Sequence, residues 1–189
     1  MLTDYAEKMT GWEEWQHAYR FGLLLIYPPD PVRSQVNLLR ARCDPKSAAI
    51  CDGHISLTVP LPRPLSKSAW QELSSAAGTV RAITIKYGPL SHYLPHPGIV
   101  LAIQPQNELD RLRLVLEQTT PFTGAADRSW PFSAHMTIAE FITVERTNEL
   151  MEELHDVAPN GQFVCDSVSL AVPDEAFRFE ERRRLLLAR

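Results

Sequence analysis

Cysteine is scarce in this chain: Cys43, Cys51 and Cys165 are the only three in 189 residues. The number is odd and no two stand in a C-x-x-C spacing. Neither a disulfide framework nor a zinc ribbon is suggested, and a reducing, cytoplasmic setting is the simplest expectation. Long apolar runs are missing as well. No stretch approaches the roughly 18 residues of a membrane helix, and the early apolar segment 21–27 is cut short by Pro28 and Pro29. The first ten residues carry Asp4, Glu7 and Lys8 and lack the basic-then-apolar order of an export signal. Positive charge is not in excess: 19 Lys and Arg stand against 23 Asp and Glu, a net charge of −4. That balance argues against an extended nucleic-acid footprint, which needs a basic stripe. It leaves room for a small anionic ligand, or for a short RNA end held by a local basic patch. No carboxylate cluster offers itself as a metal site.

What remains is an ordinary globular composition, 44% apolar and 22% charged, at a length that buries one sizeable core. No membrane association and no obligatory protein partner is indicated. The 15 prolines gather between elements, at 28–31, 60–64, 95–97 and 121. Between them, hydrophobic spacing predicts helices over 12–20, 32–42, 66–77, 108–118 and 147–157. Strands are predicted over 21–27, 53–59, 80–88, 99–103, 134–141, 163–172 and 177–186. The last two are expected to form a hairpin across Pro173-Asp174-Glu175.

One short phrase occurs twice. Residues 54–57 read His54-Ile55-Ser56-Leu57, and residues 135–138 read His135-Met136-Thr137-Ile138. Each is histidine, apolar, hydroxyl, apolar. In a strand, positions i and i+2 share a face, so each copy presents an imidazole and a hydroxyl on one side and two apolar anchors on the other. Two such units facing each other would surround a small anion with two acid/base groups and two hydrogen-bond donors. That set suits phosphodiester chemistry. Strand, helix, motif strand and helix occur in each half of the chain, which reads as an internal duplication. The expected fold is α+β: two pseudo-symmetric lobes of antiparallel sheet with outer helices around a central cleft. All 189 residues form one bilobal domain in this reading, with residues 1–20 as an N-terminal helical extension.

On these residues the chain resembles the 2H phosphoesterase superfamily, which includes 2′-5′ RNA ligase-like proteins and cyclic nucleotide phosphodiesterases and carries two H-x-[ST]-x motifs. The matches are His54, Ser56 and Leu57, then His135, Thr137 and Ile138. The resemblance runs over about residues 21–186 and leaves out the segment with Trp12 and Trp15. It implies a substrate with a 2′,3′-cyclic phosphate or a 2′-5′ phosphodiester, drawn from small nucleotides or RNA ends. It also implies His135 as base and His54 as acid for hydrolysis, with no cofactor. The physical chemistry agrees. In-line displacement at phosphorus needs a base on one side and an acid on the other, and imidazole, with an ordinary pKa of about 6.5, serves both roles. Ser56 and Thr137 would donate to the non-bridging oxygens. A non-catalytic binder of nucleotides or RNA ends is the rival reading, and 2′-5′ ligation by the reverse reaction a third; no lysine nucleophile motif for nucleotidyl transfer stands out.

Other residues carry weaker signals. His92 and His96 flank Tyr93 in a proline-rich loop, where Tyr93 could stack on a base. Arg128 and Arg178 are candidates for phosphate or base contact. Trp12, Trp15 and Tyr19 read as packing rather than as a stacking platform. Thr58 reads as structural, and His17 and His155 as surface residues.

Overall fold

The computed structural model describes residues 3–189. Eight strands form one sheet: β1 (Leu23–Ile26), β2 (Ile55–Ser56), β3 (Ile83–His92), β4 (Gly98–Gln104), β5 (His135–Glu140), β6 (Gly161–Cys165), β7 (Ser167–Pro173) and β8 (Phe179–Leu186). Among the described residues five α-helices accompany them: α1 (Val32–Cys43), α2 (Pro45–Ile50), α3 (Lys67–Ala77), α4 (Gln106–Glu117) and α5 (Val144–Leu154). The spatial order is β6-β3-β4-β5-β2-β1-β7-β8, and every named pair of neighbours is antiparallel. The order divides into two groups of four strands that meet at β2 and β5. These are the two expected lobes.

The lobes are not the two halves of the chain. β3 leaves the first half to pair with β4, and the β7–β8 hairpin returns from the C-terminus to complete the lobe of β1 and β2. A single residue, Asp166, separates β6 on one outer edge from β7 in the opposite lobe. The predicted strand 163–172 is therefore two strands. At the same end, Ala82 and Val80 exchange backbone hydrogen bonds with Ala188 beyond β8. Both connections draw the outer edges together, so the sheet curls into a half-barrel.

Strand alternation sorts the side chains. Leu24, Ile26, Ile55, Leu57, Ile85, Leu101, Met136 and Ile138 are all 1% exposed or less and face the convex side. There they join Leu73 of α3, Leu109, Leu112 and Leu116 of α4 and Leu150 of α5 in one core. Fully burying an aliphatic side chain contributes about 1.5–3 kcal/mol, so this face holds the sheet to its helices. On the opposite face Leu23, Leu25, Cys51 and Ala171 form a smaller apolar cluster beside the polar groups of the motifs. Helix ends follow the expected chemistry. Ser66 caps α3 by accepting from the Ala69 amide at 3.1 Å, and Thr143 caps α5 by accepting from Arg146.

The predicted helix 12–20 is a 3₁₀ helix, Glu14–Tyr19. Its shorter turn brings Trp15 and Tyr19, together with Trp12 just before it, onto the Phe177 ring, at centroid distances of 5.5, 6.2 and 5.0 Å. The aromatic residues thus dock the N-terminal segment on the β7–β8 turn. No helix among the described residues is long and apolar enough to cross a membrane.

Candidate functional site: a paired-motif seam in a concave cleft

The two motifs lie side by side at the centre of the sheet. Ile55 of β2 pairs with Met136 of β5, and both are fully buried. Antiparallel register then sets His54 against Thr137, and Ser56 against His135, all four on the concave face. Directly opposed side chains have Cβ atoms about 4.5–5.5 Å apart, and diagonal ones about 7–8 Å. The two histidines occupy one diagonal of this array and the two hydroxyls the other. The two motif units meet edge to edge at the junction of the two lobes. The motif strands share a backbone ladder, and curvature of the sheet, not a gap between lobes, makes the site concave.

Each imidazole is anchored in the same way. His54 Nδ1 lies 2.6 Å from the Asp52 carbonyl, and His135 Nδ1 lies 2.8 Å from the Ser133 carbonyl. A carbonyl only accepts, so in both rings Nδ1–H donates and Nε2 is left for the cleft. When neutral, Nε2 offers a lone pair; when protonated, it offers a proton. Burial pushes the His54 pKa down to about 4, against the opposing pull of the Asp52 carbonyl. Burial also lowers that of His135, and charge on His54 pushes the same way. Charge on His54 is therefore felt at His135.

Local packing fixes the motif strands. Gly53 brings the approach to His54 against α1: a Cβ there would lie 2.4 Å from a Val36 methyl, and its amide donates to Asn37 Oδ1 at 2.7 Å. Behind the seam, Arg40 of α1 is 2% exposed. It donates to the carbonyls of Thr137 (2.6 Å), Ser47 (3.1 Å) and Cys51 (3.2 Å), tying the second motif to the chain just before the first. On the other side, Glu117 of α4 accepts from the Val59 amide at 2.8 Å and from Arg128 at 2.9 Å.

A cleft of about 660 Å³ opens beside the seam, lined among others by Ser56, His135, Tyr93, Arg128 and Tyr19. That volume lies in the usual range for small-molecule sites. His54 and Thr137 lie one row further along the same strand pair. The Tyr93 ring packs against His135 at a tilt of 48°, with centroids 4.9 Å apart. Arg128 stands on the cleft wall, but one terminal nitrogen already serves the Leu57 carbonyl at 2.6 Å and Glu117. It lies over Phe132, and its buried Nε has no partner among the described residues. Arg178 is not brought to the cleft. It pairs with Asp174 at 2.7 Å in the β7–β8 turn, because that turn lies at the outer edge of the sheet. Thr58 turns away and accepts from the Leu24 amide at 3.0 Å. His92 ends β3 and, with His96, lines the cleft.

Glu140 and Trp130 escaped the sequence reading. Strict alternation places Glu140 on the convex face with Met136 and Ile138. The register shifts by one residue between Val100↔Thr137 and Ile99↔Ala139, and this bulge turns Glu140 back to the motif face. Opposite it stands Gly98 (φ +151°), where a Cβ would lie 2.7 Å from the Ala139 carbonyl. Burial raises the Glu140 carboxyl, while Arg40 and His54 lower it. Trp130 is 62% exposed at the cleft rim; its signal was only that of an aromatic in a loop.

The family model for the 2′-5′ RNA ligase superfamily matches residues 28–176. The chain belongs to the 2′-5′ RNA ligase superfamily. Solved structures share its fold at low identity. E. coli LigT complexed with 3′-AMP is 21% identical, with 88% of this chain and 97% of that chain covered and a TM-score of 0.60. A crystal structure described as a phosphoesterase is also 21% identical, with 88% and 97% covered and a TM-score of 0.58. TT0787 of Thermus thermophilus is 10% identical, with 87% and 96% covered and a TM-score of 0.55. No curated protein matches the chain in sequence. The superfamily match takes in both histidine motifs and leaves the N-terminal aromatic segment outside.

Proposed function

We propose that the protein is a metal-independent phosphoesterase acting on 2′,3′-cyclic phosphates or 2′-5′ phosphodiesters of nucleotides or RNA ends. One observation carries this reading: two imidazoles on adjacent strands, each held by Nδ1 to the carbonyl two residues before it, with each Nε2 free on one concave surface. A phosphate over the centre of the array would have one imidazole on either side and a hydroxyl at each remaining corner.

In hydrolysis, neutral His135 takes a proton from the attacking water through Nε2. Protonated His54 gives one to the departing ribose oxygen. For a 2′,3′-cyclic phosphate, one P–O bond to the ribose breaks, one P–O bond to water forms, and the ring opens to a monoester. The cleft before substrate binding favours neutral rings at both positions. The phosphate's own negative charge then favours the imidazolium of His54, so the acid is charged when the anion arrives. A low intrinsic pKa makes that imidazolium a strong acid once formed. Ser56 and Thr137 donate to the non-bridging oxygens, where a placed donor contributes about 3–4 kcal/mol. A 5′-hydroxyl that attacks the cyclic phosphate in place of water would use the same groups in the same roles, forming a new P–O bond as the P–O3′ bond breaks. The reverse step, cleavage of that 2′-5′ bond by the neighbouring 3′-hydroxyl, exchanges them. Relatives support the ligand class: the LigT structures were solved with 3′-AMP, ATP and NADP⁺.

The test is incubation with 2′,3′-cyclic mononucleotides and 2′-5′ oligoadenylate, with a chelator in every reaction. Turnover is expected with chelator present. His54→Ala or His135→Ala should lower kcat by about 10²–10⁴, the usual value of one acid/base role, with an unchanged circular dichroism spectrum. Saturable binding without product would support a binding protein instead.

A further inference from the structure

Three ring contacts lead away from His135. Tyr93 lies 4.9 Å from it, His96 lies 6.0 Å from Tyr93, and Trp130 lies 6.2 Å from His96. All four rings line the same cleft. The first contact reaches from β5 to the loop after β3, and the last joins that loop to the loop before β5. The last contact is edge-on, at 83°, so His96 meets Trp130 without covering its face. With Trp130 62% exposed and His96 exposed, the outer end of this row offers uncovered aromatic surface to a ligand.

We infer that the His96–Trp130 end of the cleft is a stacking subsite for the nucleoside next to the one bearing the reactive phosphate, and that the preferred substrate is an RNA end of two or more nucleotides. The inference rests on the phosphoesterase reading of the same cleft. A mononucleotide with its phosphate over the seam occupies the inner rings, His135 and Tyr93. The outer pair lies two ring contacts further along the row and is placed for a second base. Every base has a π face, and stacking on an exposed aromatic residue tolerates any sequence.

Charge points the same way. The only arginine lining the cleft among the described residues is Arg128, which is held by Leu57 and Glu117, and no lysine lines it. Phosphates beyond the reactive one find no row of cations to follow. Recognition of the neighbouring nucleotide then comes through its base, and the extra affinity should depend little on salt.

The experiment compares kcat/KM for a dinucleotide and a mononucleotide, both ending in a 2′,3′-cyclic phosphate, in wild type, Trp130→Ala and Trp130→Phe. Wild type should favour the dinucleotide by about tenfold or more, as expected for one stacked base. Trp130→Ala should bring the ratio towards one, and Trp130→Phe should keep most of it. A wild-type ratio near one, or a ratio that Trp130→Ala does not change, overturns the inference. Calorimetry with the 3′-phosphorylated dinucleotide and mononucleotide reads the same preference without turnover. If neither cyclic substrate is hydrolysed, the phosphoesterase reading fails, and the calorimetric ratio still decides the subsite. The salt dependence of binding should have the same slope for both ligands. A steeper slope for the dinucleotide would mean that its backbone is being gripped, and would also overturn the inference.

Discussion

Ile55 lies directly across from Met136, and this one cross-strand pair sets the arrangement of both motifs. Because the two buried residues are opposed, each histidine faces the other motif's hydroxyl. Slipping β2 by one residue would turn Ile55 outward and put both polar groups of the first motif into the core. The hydrophobic anchors of the motifs thus do as much for the site as its polar groups. They hold the register, and the register holds the imidazoles.

Gly53 tests how tightly the approach to His54 is set. Gly53→Ala should cost about 1–3 kcal/mol by overpacking against Val36 and should lower turnover by shifting His54. Val36→Ala removes the opposing methyl groups. In a double-mutant cycle read by urea denaturation, the two changes should couple favourably, the pair being more stable than the sum of the single losses. Additive losses would show that Val36 is not what Gly53 accommodates.

Arg40 is a buried cation that binds three carbonyls around the seam. Hydrogen bonds to charged groups are worth about 1.5–3 kcal/mol each, so Arg40→Met should destabilise the fold by at least about 3 kcal/mol. Arg40→Lys should recover only part of that, since an ammonium lacks the planar fork that reaches several acceptors at once. Equal stability of the methionine variant and wild type would contradict this role.

Acid sensitivity follows from the depressed pKa of His54. The unfolded chain takes up a proton near pH 6.5, and the folded protein does so only at about 4. The unfolded state binds more protons between those values, so stability should fall as pH drops from 6.5 to 4. Burial of His135 acts in the same direction. His54→Gln removes one of these groups, and its melting temperature should fall less steeply over that window than that of wild type. Parallel curves would show that His54 is solvated in the folded protein.

The motif histidines and hydroxyls, the alternation around them and most elements were legible in the sequence, because periodicity and capping carry that information locally. The helices expected over 66–77 and 108–118 are α3 and α4, displaced by no more than two residues at either end. The seam was not legible, because nothing in either phrase says which strand its own will pair with. Glu140 was missed because a bulge reverses alternation without changing composition. The split at Asp166 was missed because both flanking segments read as strand, and only the curl of the sheet sends them to different lobes. Arg178 was overvalued because a basic residue near a turn looks the same in sequence whether it meets Asp174 or a phosphate.

The most direct measurement is a crystal structure with a nucleoside vanadate, a mimic of five-coordinate phosphorus, bound in the cleft. Nε2 of His54 and Nε2 of His135 should each lie within about 3.2 Å of the two apical oxygens, one on either side, with Ser56 and Thr137 on equatorial oxygens. A vanadate bound by only one imidazole, or bound away from the β2–β5 seam, would contradict paired-histidine catalysis.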